Sequence, residues 1–175
     1  EFEGEIPVLE IPTDYPRPMS QSFEGDSTGF EISGEETRAL NAVALQGGAT
    51  LFMALAAAVN ILLSKLSGQE EIIIGTPIAG RRHSDLEKII GMFVNTLALR
   101  NYPIGIRTFK EFLADLKDRV LMAFENQEYP FEGLVDKLSL KRDMGRNPLF
   151  DVMFVLQNMN TVSADPDEKK PGLQK

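Results

Sequence analysis

Apolar residues recur at two different periods along this chain. From Thr50 to Leu66, the residues Leu51, Phe52, Leu55, Val59, Leu62, Leu63 and Leu66 fall at helical spacing, and Ala, Met and Ile fill most of the gaps. A helix that is apolar nearly all round is one buried in a larger body. Ser67-Gly68 marks its end. Ahead of it, "SGEE" (33–36) has the form of a capping box, with Ser33 at the N-cap and Glu36 bonding back. The helix it opens carries Leu40, Val43 and Ala44 on one face and stops near Gln46, before Gly47-Gly48. The clearest helical period lies at 109–124, where Phe109, Phe112, Leu113, Leu116, Val120 and Phe124 line one face. Pro130 opens a short helix through Leu138.

Elsewhere the apolar residues run on without a period. "EIIIGTPIAG" (71–80), "MFVNTLALR" (92–100) and "LFDVMFVLQNM" (149–159) read as strands covered on both faces, the last of them central. "TGFEI" (28–32) reads as a further short strand, and "RRHSDLEK" (81–88) as a charged loop or a turn of helix. Residues 1–27 carry Pro7, Pro12, Pro16 and Pro18 and form an extended lead-in; 28–160 is the folded body; 161–175 is a patternless polar tail, expected to be disordered. The sum is a mixed α/β (α+β) body of about four strands and four helices, with the sheet covered by helices. One detail does not fit a strand that only fills a core: Asn95 and Thr96 interrupt "IGMFVNTLALR" (90–100).

The length, 175 residues, suffices for one domain with a sizeable core. A net charge of -8 argues against a nucleic-acid groove and gives no support for binding an anionic membrane. The longest apolar run, Leu51–Val59, is too short to span a bilayer. With no cysteine, disulfides and thiolate metal sites are excluded, and the cytoplasm is the simplest setting. His83 is the only histidine, so a metal cluster of histidines is excluded too. The chain opens without Met and ends in "SADPDEKKPGLQK", and both ends read as cuts in a longer protein.

Candidate chemistry is sparse. His83 stands near Asp85, but in a polar stretch an exposed histidine is the better reading. "GTPIAGRR" (75–82) lacks the P-loop pattern; Arg81 and Arg82 are either solvated or one pairs with a buried carboxylate. In "NQEYPFEGLVDKL" (126–138), Tyr129 and Phe131 flank Pro130, where core packing outweighs a recognition patch. "RDMGRNPLF" (142–150) sets Arg142, Asp143, Arg146 and Asn147 on a loop before a strand, a place for site residues and for turn caps alike. No G-x-S-x-G elbow and no paired carboxylates are present, so the residues alone assemble no complete catalytic constellation.

Four stretches in order, "IGTPIAGR" (74–81), "IGMFVNTLALR" (90–100), "NQEYPFE" (126–132) and "RDMGRNPLFD" (142–151), resemble the condensation domains of nonribosomal peptide synthetases. The resemblance covers about residues 1–160. It implies half of a V-shaped pair of chloramphenicol acetyltransferase-like subdomains. The family joins an acyl or peptidyl thioester to an aminoacyl thioester, both held on phosphopantetheine arms of peptidyl carrier proteins. The chain itself needs no cofactor. The family's His-His-x-x-x-Asp-Gly motif is absent here, so the resemblance points to part of a C-terminal subdomain, expected to be inactive alone, with the N-terminal subdomain as its partner.

By the same resemblance, Arg81 matches an arginine that pairs with the aspartate of that histidine motif; without it, Arg81 is expected to be stranded or exposed. Asn147 matches a tunnel-lining residue. Phe93, Asn95 and Thr96 match a strand motif near the subdomain interface, and Asn95 and Thr96 are expected to lose partners here. Gln127, Tyr129, Pro130 and Phe131, with Arg142, Asp143 and Arg146, match scaffold motifs. Gly145 departs from the family, which often has Ser there. Two other readings stay open. One is an epimerization domain, disfavoured because that branch resembles Gly-Trp-Phe-Thr where this chain has "GMFVNTLALR". The other is a scaffold that self-associates through exposed sheet edges.

Overall fold

The computed structural model describes residues 2–22, 24–81, 83–86, 88–140 and 143–157. Arg82, Arg142 and the 161–175 tail lie outside the described residues. Helices α1 (Gly34–Gln46), α2 (Leu51–Ser67), α3 (Phe109–Glu125) and α4 (Phe131–Leu138) surround strands β1 (Ile72–Ile78), β2 (Asn95–Asn101) and β3 (Val152–Met153). The sheet runs β2-β1-β3, with β1 antiparallel to β2 and parallel to β3.

Alternation along β1 and β2 explains why both read as continuous apolar runs. Ile72, Ile74, Ile78, Leu97 and Leu99 face one cluster with Met53, Leu63, Phe112, Leu113, Leu116 and Val120 of α2 and α3. Ile73 and Ala98 face a second cluster with Leu149, Phe150 and the apolar side of α4. With both faces of the sheet covered, neither strand needs a polar side. The core face of α3 is as expected. On α2 the buried face is Met53, Ala54, Ala56, Ala57, Asn60 and Leu63 instead of the full leucine-rich stripe, whose Leu62 and Leu66 are exposed because no described element packs against that side. No single helix among the described residues is long and apolar enough to cross a membrane.

Two expected strands differ. Residues 28–32 form no strand; Phe30 and Ile32 are exposed to solvent. Strand propensity expresses fit to a pleated, half-buried surface, and none lies there. Among the described residues of the 149–159 run, only Val152–Met153 form a strand, at the edge of the sheet, so β1, not β3, is central. Residues 92–94 also fall outside β2, which begins at Asn95.

The capping box at α1 is built as the sequence predicts. Ser33 N donates to Glu36 Oε2 at 2.9 Å while Glu36 N donates to Ser33 Oγ at 3.2 Å. Thr108 and Glu111 repeat the arrangement at α3, at 2.8 and 3.3 Å. Hydrogen bonds from the Ser33 side chain and backbone hold the Glu36 carboxyl below its ordinary value of 4.5. Bonds from the Thr108 backbone and side chain do the same for Glu111. A depressed folded pKa stabilises the fold above the unfolded pKa, and that stabilisation is lost as pH falls through the folded value. Glu36→Gln and Glu111→Gln are therefore expected to flatten the acid limb of the stability-pH curve below the ordinary carboxylate range. Urea midpoints taken across that range check this; an unchanged slope in the double variant would count against the boxes.

The lead-in 2–22 has no helix or strand, as expected, but it is docked. Leu9 is buried in the first cluster, and Phe2 and Ile6 pack on the second.

Candidate functional site

The expected site residues separate into two groups at opposite ends of β1. At its C-terminal end, the chain leaves Ile78 through Ala79-Gly80 and turns at Arg81. The Arg81 guanidinium donates to the carbonyls of Leu86, Ile89 (2.9 Å) and Gly91 (3.3 Å), and lies 4.4 Å from the centroid of the Phe93 ring. A guanidinium offers five donors in a plane and stacks well on an aromatic face, which suits it to this task better than lysine. Arg81 is thus half-buried and is neither stranded nor merely solvated. Its acceptors are carbonyls of its own loop. His83 and Asp85 approach to 3.3 Å with side chains 72% and 85% exposed, which makes them a surface pair.

Asn95, opposite Ile78 in the β1–β2 ladder, answers the question its sequence raises. Its Nδ2 donates to the carbonyls of Gln127 (2.9 Å) and Tyr129 (2.8 Å). Its Oδ1 accepts from the backbone N–H of Thr96 (2.9 Å) and Phe131 (3.2 Å). One amide therefore locks the start of β2 to the α3–α4 turn. The expectation that Asn95 lacks partners here is wrong, because all four of its hydrogen-bonding positions are filled within this chain. Thr96, opposite Pro77, has its N–H held by the same oxygen.

Gln127, Tyr129, Pro130 and Phe131 come together with Asn95 as a scaffold, but the expected core packing holds only for Phe131: Tyr129 takes part through its carbonyl and its ring is half exposed. Gln127 Nε2 donates to Phe124 O at 2.7 Å, Pro130 is the N-cap of α4, and Phe131 packs on Phe150 at 5.5 Å between ring centroids. Two cavities flank this end. One of about 340 Å³ is lined by Phe93, Asn95 and Pro130, and one of about 510 Å³ by Thr76, Arg81 and Phe124; both touch Gly80 and Gln127.

The second group sits on the loop ahead of β3, at the other end of β1. Asp143 Oδ1 accepts from Gly145 N at 2.8 Å, and Asn147 Oδ1 accepts from Leu149 N at 3.3 Å. Both are turn caps. Arg146 bonds Leu9 O at 3.0 Å and Asp151 at 2.7 Å, and Arg17 lies 3.6 Å from the other Asp151 oxygen. At Gly145 a Cβ would lie 2.8 Å from Pro18 O in the docked lead-in, so a side chain there would push on that segment. Asn147 is exposed and lines a cavity of about 400 Å³, well away from Arg81 and Asn95.

Sequence reasoning misses several residues. Asp151 binds two arginines. Arg100 is buried, pairs with Glu71 and donates to the carbonyls of Glu3 (3.3 Å) and Glu5 (2.9 Å). Asn60 and Asn101 are fully buried and meet at 3.3 Å. The available signal is a polar residue inside an apolar run, which demands a partner wherever the run is buried.

The condensation-domain family model matches residues 1–175. The chain belongs to the condensation-domain family. Similar proteins include bacitracin synthase 3 of Bacillus licheniformis, 58% identical over 164 residues, 94% of this chain and 3% of that protein. Gramicidin S synthase 2 of Brevibacillus brevis is 58% identical over 159 residues, 91% of this chain and 4% of that protein. Among solved structures, a four-domain nonribosomal peptide synthetase bound to AMP and glycine superposes with a TM-score of 0.85 at 31% identity, covering 88% of this chain and 12% of that one. The X-domain from teicoplanin biosynthesis gives a TM-score of 0.76 at 25% identity, covering 83% of this chain and 32% of that one. This condensation-domain chain thus spans a few per cent of the synthases it matches, and the mixed α/β fold is the one those structures share.

Proposed function

We propose that this chain is part of the C-terminal subdomain of a condensation domain, in a cytoplasmic bacterial synthetase that joins two carrier-bound thioesters through an amide. In that reaction the amine of one aminoacyl thioester attacks the thioester carbonyl of the other. A C–N bond forms, the C–S bond breaks, and the departing phosphopantetheine thiol takes up the proton. The enzyme must hold both arms in line and stabilise a developing oxyanion. The observation that carries the reading is the family match along the whole chain, together with a single, exposed histidine. This chain supplies a wall and a rigid frame, set by Arg81 and Asn95 at one end of β1. The histidine motif comes from a partner subdomain, and the peptidyl carrier proteins bring the substrates.

Mixed with two loaded carrier proteins, this chain alone is expected to yield no dipeptide. Joined to a condensation N-terminal half bearing His-His-x-x-x-Asp-Gly, it is expected to yield dipeptide, measured by mass spectrometry of the released product. Dipeptide from the chain alone, or none from the joined protein with its carriers loaded, would overturn the reading.

A further inference from the structure

We propose that residues 2–11 form a strap, clasped by side chains, that opens independently of the sheet and gates the cavity beneath it. Among the described residues, every hydrogen bond between 2–11 and the body uses a side chain of the body. Gln69 works as a two-point clasp: its Nε2 donates to Val8 O and its Oε1 accepts from Glu10 N, both at 2.9 Å. A side-chain amide here imitates one rung of a strand partner. Arg146 holds Leu9 O at 3.0 Å, and Arg100 holds Glu3 O and Glu5 O.

No ladder backs these clasps, so their strength is that of a few isolated hydrogen bonds plus Leu9 and the partly buried Phe2, Ile6 and Ile11. Segments held this way open at lower free energy than the core they cover. The strap also bridges the two apolar clusters, with Ile6 on one and Leu9 in the other. Between Glu5–Leu9 and the body lies the cavity of about 400 Å³, floored by Ile73, Leu149 and Phe150. Releasing the strap uncovers that apolar floor without breaking a strand pair.

Hydrogen exchange read by mass spectrometry tests this on the full 175-residue chain. Gln69→Leu and Arg146→Lys are each expected to speed exchange in 2–11 about tenfold or more, while peptides from β1 and α3 keep their protection. Anilinonaphthalene sulfonate fluorescence should rise in the same variants as the floor is exposed. Unchanged exchange in 2–11 for both variants overturns the clasp. Loosening of β1 and α3 together with 2–11 overturns independent opening. Faster strap exchange without added dye binding overturns the gating.

Discussion

Asn95→Asp is expected to destabilise the chain by about 2–4 kcal/mol at neutral pH, more than Asn95→Ala. The two substitutions separate the donor half of the clamp from the acceptor half. Aspartate keeps an oxygen for the N–H groups of Thr96 and Phe131. Its second oxygen lands where Nδ2 now donates to Gln127 O at 2.9 Å and Tyr129 O at 2.8 Å. Three oxygens then face one another, and the carboxylate's desolvation adds to their repulsion. Alanine leaves the same carbonyls without a partner but lets water in, since this side is half-exposed. Once protonated, the introduced carboxyl can donate to one carbonyl, so the folded state raises its pKa. Stability tied to a raised pKa is present below the unfolded value and lost as pH rises through the folded one. The deficit against wild type should therefore be small in acid and grow toward neutrality. Urea unfolding at several pH values measures it; equal midpoints for the aspartate variant, the alanine variant and wild type near pH 7 would remove Asn95 as the lock between β2 and the α3–α4 turn.

That lock also shows what could be read before the structure. Helix α3 was legible from its apolar stripe, and α1 and α2 also from their own punctuation: Ser33 and Glu36 at the start of α1, Gly68 after α2. These are contacts over three or four residues, and the sequence displays both partners side by side. The strands were legible as apolar runs but not in extent. Residues 92–94 look like the start of β2, yet the Phe93 ring is drawn onto Arg81 and its carbonyl against Gly80, so pairing begins only at Asn95. The 149–159 run reads as central because both of its faces are apolar. Leu149 and Phe150 do fill the core, but they do so ahead of the ladder rather than within it.

The site was legible in its residues and not in its partners. Asn95 is conspicuous, but its partners lie 32 to 36 residues away on a turn that reads as mere scaffold. Arg100 and Arg146 reach 95 and 137 residues back to the lead-in, and no local pattern encodes such a distance. Arg81 finds its acceptors close by, in the carbonyls of its own loop five to ten residues on. A cation followed closely by bare carbonyls in a loop can satisfy itself locally, and the spacing 81–91 allows that.

Gly80→Ala should be the most damaging single-methyl change in the chain. Gly80 sits at φ +64, and an added Cβ would come within 1.8 Å of Phe93 O. The left-handed conformation alone costs about 1 kcal/mol for alanine. The overlap is with a backbone carbonyl, which has no rotamer to escape into, so strand β1 and the 91–95 segment must part. Overpacking of that kind adds about 1–3 kcal/mol or more. The expected total is about 3–5 kcal/mol, a fall in Tm on the order of 10 °C for a chain of this length. Gly68 supplies the control, for it has φ +72 and nothing within 4 Å of an added Cβ. Gly68→Ala carries the conformational cost without the collision and should lose only about 1 kcal/mol. If calorimetry finds the two variants equally destabilised, the Gly80–Phe93 contact is not what holds the Arg81 loop against β1. If Gly80→Ala alone collapses, that contact and the Arg81 clamp form one unit, because the carbonyls Arg81 binds end at Gly91, two residues before Phe93.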